Sequence, residues 1–131
     1  MDRTYLDNET WRYFWHPVCT MAELEAADTG RGALLRAQLL GTELVIAKLT
    51  SGVVAMNNRC PHRSAKLHLG WNRGDSVQCA YHGWAYGADG GCTSIPAAPD
   101  GPIPKRARAT TYDCAVKYGL VWVRLDGSAK T

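Results

Sequence analysis

No stretch of this 131-residue chain approaches the run of about eighteen apolar residues that a membrane-spanning helix needs. The opening Met1-Asp2-Arg3 lacks the basic and then apolar run of a secretory signal. A cytoplasmic protein without a membrane anchor is the expectation. Charge of one sign is also scarce: 15 Lys and Arg against 12 Asp and Glu leave a net charge of +3. The one basic cluster, Lys105-Arg106-Ala107-Arg108, reads as a solvated edge rather than a docking patch. Nucleic acid is therefore not an expected partner. Internal repeats, low-complexity segments and a disorder-prone tail are lacking as well. With 46% hydrophobic and 21% charged residues, what remains is an ordinary globular composition, and the length suits one domain over residues 1–131.

Within that composition, soft and borderline metal ligands stand in an unusual order. Cys60-Pro61-His62 offers a thiol and an imidazole two positions apart, and Cys79-Ala80-Tyr81-His82 offers the same pair three apart. Iron, zinc and copper prefer such donors. The spacing suits two neighbouring loop tips better than one helix face, where ligands would recur three or four residues apart. Structural zinc sites usually group Cys with Cys and His with His. Alternation fits a [2Fe-2S] cluster in which one iron takes both thiolates and the other both imidazoles, and tetrahedral zinc stays open as an alternative. Cys19, Cys92 and Cys114 are left over, far apart, and read as reduced, partly buried thiols.

The remaining chain reads as the support for those loops. Residues 11–18, dense in aromatics and holding His16 before Pro17, suggest an extended segment laid on a sheet. Thr20-Met21-Ala22-Glu23 has capping-box form, predicting one short helix from Met21 to about Ala26. Apolar runs at 34–40, 44–49 and 53–56, separated by Gly41-Thr42-Glu43 and Ser51-Gly52, predict a three-stranded meander delivering Asn57, Asn58 and Arg59 into the first ligand loop. Ser76-Val77-Gln78 feeds the second. Asp89-Gly90-Gly91 marks a hairpin between 84–87 and 92–95, a proline-rich surface connector covers 96–104, and closing strands lie at 110–116 and 120–125. The predicted class is all-β, with cluster-binding loops at about residues 58–87. Trp84 and Tyr86 are expected to cover the cluster or to fill the core beneath it; His16 and His68 read as packed or surface histidines.

Cys60-Pro61-His62-Arg63 followed by Cys79-Ala80-Tyr81-His82-Gly83-Trp84 resembles the Rieske motif in its ring-hydroxylating-oxygenase form. Tyr13-Phe14-Trp15-His16-Pro17-Val18, Ile95-Pro96-Ala97, Ile103-Pro104-Lys105-Arg106-Ala107 and Tyr118-Gly119-Leu120-Val121-Trp122 extend the likeness to the N-terminal part of Rieske non-haem iron oxygenase terminal components. That resemblance implies antiparallel sheets with a small cluster-binding subdomain. It implies that Cys60 and Cys79 bind one iron, and His62 and His82 the other. It further implies electrons received from a ferredoxin or flavin reductase and passed to a mononuclear iron in an oxygenase catalytic domain, usually across a subunit boundary of a homotrimer.

The chain departs from the family in lacking the two-His, one-carboxylate site of that catalytic domain, so oxygenation by these residues alone is not expected. A stand-alone Rieske-type ferredoxin and a structural zinc-binding module are the alternative functions. Respiratory-type relatives carry an extra cysteine in each loop and a serine after the His-Gly pair; here Arg63-Ser64-Ala65, Ala80 and Trp84 stand in those neighbourhoods. Tyr86 matches the family's tyrosine donor. Fewer hydrogen bonds to the cluster sulfurs lower the potential, which puts the expectation at the low end of the Rieske range of about −150 to +300 mV.

Overall fold

The computed structural model describes residues 11–61 and 65–126. Its elements in chain order are β1 (His16–Thr20), α1 (Met21–Ala26), β2 (Leu34–Leu39), β3 (Thr42–Leu49), β4 (Gly52–Asn57), a 3-10 turn (Leu67–Leu69), β5 (Trp71–Asn72), β6 (Ser76–Gln78), β7 (Ala85–Gly87), β8 (Cys92–Ser94), β9 (Thr111–Lys117) and β10 (Leu120–Arg124). They form a six-stranded antiparallel sheet ordered β1-β10-β9-β4-β3-β2 and a four-stranded one ordered β5-β6-β7-β8.

The β2-β3-β4 meander forms where turn residues separate the apolar runs, with Leu39 paired to Thr42 and Leu49 to Gly52. Its middle strand is buried on both faces, which is why alternation is weak in 44–47. Leu44 and Ile46 point into one core with Leu24 of α1, Ala55, Val121 and Val123. Val45 and Ala47 point into a second core with Met56, Leu67, Val77, Tyr86 and the thiols of Cys60 and Cys79. The ligand-bearing loops are thus rooted in apolar packing shared by both sheets.

α1 starts as its capping box demands: Thr20 Oγ1 accepts from the Glu23 N–H at 2.9 Å, and Glu23 Oε1 accepts from the Thr20 N–H at 2.8 Å. Asn72 ties the small sheet to the large one, its amide donating to the carbonyls of Ala33 (3.1 Å) and Lys48 (2.8 Å).

Residues 11–15 depart from expectation. The Phe14 N–H bonds to the Trp11 carbonyl in a turn at 3.1 Å, and the strand begins only at His16. Phe14 stays half exposed at 52%; aromatic content there reflects ring–ring contact, Trp11 against Phe14 at 5.6 Å, more than β-pairing. The proline-rich connector is exposed as expected, but it is folded into turns by Ala98 N–H to Ile95 and Gly101 N–H to Ala98. Lys105, Arg106 and Arg108 lie exposed, with Arg108 donating to the Asp89 carbonyl at 2.8 Å. No helix among the described residues is long and apolar enough to cross a membrane.

Candidate metal centre

The first loop leaves β4 through Asn57–Arg59 and returns at Lys66, bridged to Arg59. The Cys60 N–H donates to the Ala65 carbonyl at 2.7 Å, closing the loop at its base. His62 lies outside the described residues. The second loop runs from β6 to β7 and is closed by the Cys79 N–H on the Trp84 carbonyl at 2.8 Å.

These closures bring the two cysteines together. Cys60 and Cys79 are 1% and 0% exposed, share one core cluster, and touch through their thiols, with neither in a disulfide. Burial, then contact with Cys60, pushes the Cys79 thiol up to about 11, so without metal the proton stays on at neutral pH. Metal would displace it, since a coordinating thiol is bound as the thiolate. Two donors already face the sulfurs: the Tyr86 hydroxyl stands 3.3 Å from Cys60 Sγ, and the Tyr81 N–H donates to Cys79 Sγ at 3.4 Å. Tyr86 is fully buried, and burial first, then Cys60, raises its phenol well above the ordinary range. It therefore remains a protonated donor at any physiological pH.

His82 lies at the exposed tip of the second loop, its ring 4.1 Å from that of Tyr81. Among the described residues no three His, Cys, Asp or Glu side chains gather at one metal position. What the structure displays is the thiolate half of the donor set, and that half fits a sulfur-ligated cluster: paired, buried, unoxidised, and faced by hydrogen-bond donors.

Of the other singled-out residues, His16 Nε2 contacts the Trp11 carbonyl at 2.9 Å, and His68 bonds to Asn58. Cys19 is buried; Cys92 and Cys114 are half-buried free thiols. Trp84 packs against the core holding Cys60 and Cys79 and lines a cleft of about 390 Å³ with Pro61, Tyr86, Pro104, Arg106 and Ala107.

Sequence reasoning missed two supports. Asn58, 1% exposed, spans from the meander to the returning arm: its N–H donates to the Glu43 carbonyl (2.9 Å), its carbonyl accepts from the Leu67 N–H (3.1 Å), and Oδ1 accepts from the His68 N–H (2.7 Å). Its Nδ2 lies 2.7 Å from His68 Nδ1 and 3.2 Å from Glu43 Oε1. Lys66 and then Arg36 bond the Glu43 carboxylate and hold its pKa down to about 2. The second support, Gln78, bonds across the other loop to the Gly83 carbonyl at 2.9 Å. No local sequence signal marks either one.

Two loop tips on antiparallel sheets, each bringing a thiol into one buried, hydroxyl-capped site, define a sulfur-ligating metallocentre domain. Residues 14–113 match the model of the Rieske [2Fe-2S] domain family, and the chain belongs to that family, whose cofactor is a Rieske-type [2Fe-2S] cluster. Over 122 residues it is 50% identical to the methylxanthine N1-demethylase NdmA of Pseudomonas putida, covering 93% of this chain and 35% of that protein. Over 131 residues it is 48% identical to the N3-demethylase NdmB of the same organism, covering 97% and 36%. The oxidoreductase NdmD, also from P. putida, is 42% identical over 113 residues, covering 85% and 18%. The solved structure of NdmA superposes with a TM-score of 0.85 over 95% of this chain and 36% of that one, at 50% identity. The chain spans about a third of the length of the demethylases it matches. The Rieske [2Fe-2S] domain that it shares with these oxygenase components implies iron–sulfur electron transfer; an oxygenase catalytic domain is not among its residues.

Proposed function

We propose that this domain relays single electrons to the mononuclear iron of an oxygenase catalytic domain, receiving them from a ferredoxin or flavin reductase, in a cytoplasmic assembly built as a homotrimer. Residues 1–131 act as one domain with its cluster loops at 58–87. Cys60 and Cys79 hold one iron of the cluster, and His62 and His82 the other. The observation that carries this reading is the pair of buried, touching thiols of Cys60 and Cys79 with the Tyr86 hydroxyl 3.3 Å from the first sulfur. Identity of 50% and 48% to two demethylases, of each of which the chain covers about a third, favours the oxygenase over a free carrier.

The cluster, when bound, supplies a one-electron couple at a potential raised by its two imidazole ligands. The protein's part is to exclude water from the thiolates and to stabilise added charge. Cys60, Cys79 and Tyr86 are sealed under Leu67, Val77 and Met56 in one core. Each donor facing a sulfur favours the reduced state, where the sulfurs carry more negative charge.

Tyr86→Phe tests this directly. A hydrogen bond is worth about 0.5–1.5 kcal/mol net, and a tenfold change in a one-electron equilibrium is about 59 mV. Loss of the 3.3 Å contact to Cys60 Sγ should lower the midpoint potential by about 20–65 mV with the iron content unchanged. Potentiometric titration followed by EPR checks both values. The parent should fall at the low end of the range of about −150 to +300 mV, and a midpoint near its top would overturn the oxygenase-type assignment.

A further inference from the structure

The second ligand loop turns through two successive left-handed residues, one of which is not a glycine. His82 sits at φ +72° and Gly83 at φ +76°. Few residues with a Cβ adopt this left-handed conformation, histidine more readily than most, and restraints from the surroundings hold it in place. One restraint is the Cys79–Trp84 backbone bond that closes the loop. A second comes from a side chain outside it: Gln78 Nε2 donates to the Gly83 carbonyl at 2.9 Å, gripping the residue directly after His82.

Gln78 is itself held. Arg73 Nε donates to Gln78 Oε1 at 2.6 Å. With a donor at one end and a carbonyl acceptor at the other, only one orientation of the amide satisfies both. The Arg73 guanidinium stacks 5.3 Å from the Trp71 ring, with Arg31 at 5.4 Å from the same ring. Trp71 is the cross-strand partner of Gln78. Clearance around the grip is small, since a Cβ on Gly83 would lie 3.2 Å from Gln78 Nε2 and 3.1 Å from Pro96 Cγ.

We propose that Gln78 is a positioning residue for His82: its amide, oriented by Arg73, clamps the left-handed His82–Gly83 turn and so fixes where the imidazole is presented. The proposal rests on His82 being a cluster ligand. Groups that orient a metal ligand typically govern metal affinity by 10–100-fold.

Gln78→Glu in the holo chain is the test. It keeps the size and the acceptor for Arg73, and sets a carboxylate oxygen against the Gly83 carbonyl. The expected result is a two-iron cluster whose reduced EPR spectrum is broadened and shifted in g, and which releases iron to bathophenanthroline about tenfold faster or more. Arg73→Met, which leaves Gln78 in place but unoriented, should move both readouts the same way by less. If Gln78→Glu takes up no cluster, Arg73→Met decides: faster release supports the clamp. Spectra and release rates equal to the parent's in the variants that load would overturn it. A parent chain without a two-iron Rieske signal would instead sink the ligand assignment, whatever the variants did.

Discussion

Gly70→Ala is expected to destabilise the protein by about 3 kcal/mol or more, the upper end of overpacking costs, and to strip the cluster. Gly70 follows the 3-10 turn at φ −90°, so the penalty does not come from a left-handed backbone. It comes from contact. A Cβ there would lie 1.8 Å from the Gln78 carbonyl oxygen, 2.9 Å from its carbon and 3.2 Å from the Ala80 N. All three are backbone atoms on either side of Cys79, and none can swing aside as a flexible side chain would. Relief requires the arm after the first loop to part from the root of the second, which separates Cys60 from Cys79. Thermal unfolding of the apo chain should shift down by roughly 10 °C, at about 3–4 °C per kcal/mol for a chain of this size. Iron per chain after reconstitution should fall well below that of the parent. A melting temperature within a few degrees of the parent, with full iron, would show that the two segments are not locked together as described.

Asn58→Ala should cost about 2–4 kcal/mol, since each buried polar group left without a partner costs about 1–3. Truncation removes the acceptor of the His68 N–H and the donor between His68 Nδ1 and Glu43. It leaves the backbone bonds of residue 58 in place, so the meander should survive while the arm 65–69 loosens. Denaturant titration should show a lower midpoint at unchanged slope; a loss below about 0.5 kcal/mol would mean that water replaces the network.

The same network predicts a pH effect. Asn58 Oδ1 takes the His68 N–H, so Nδ2 faces His68 Nδ1, which must accept. Burial is the main cause that lowers the His68 pKa, and it prevails over the opposing pull of Glu43. A histidine whose folded pKa lies below its unfolded value of about 6.5 is protonated first in the unfolded chain. Stability should therefore be complete above about pH 6.5, fall as the pH drops below it, and level off once the folded histidine is protonated too. His68→Gln should flatten that part of the profile; an unchanged slope would place its origin elsewhere.

Features governed by local rules were legible in the sequence. The capping box at Thr20–Glu23, the meander turns, Ser76–Gln78 and the Asp89–Gly91 hairpin each follow from neighbouring residues, and each forms where expected. The paired cysteines were legible from spacing, because a loop needs little more than its ligands and its turns. Trp71–Asn72 escaped notice because two residues cannot display alternation; their strand exists because β6 lies beside it. Asn58 and Gln78 escaped for a different reason. Their partners, Glu43, His68 and Gly83, are brought to them by tertiary contact, and a polar residue before a ligand reads as an ordinary loop residue until that contact is seen. Trp11–Phe14 misled because aromatics favour strands and also favour each other.

The most direct test of the central claim is the low-temperature EPR spectrum of the dithionite-reduced chain, with iron, sulfide and zinc counted on the same sample. A red-brown protein holding two irons and two sulfides, with an average g clearly below that of all-cysteine clusters, is the predicted result. Cys60→Ser and Cys79→Ser should each abolish that signal. A colourless protein carrying one zinc would contradict the electron-relay function and leave a structural metal module on the same fold.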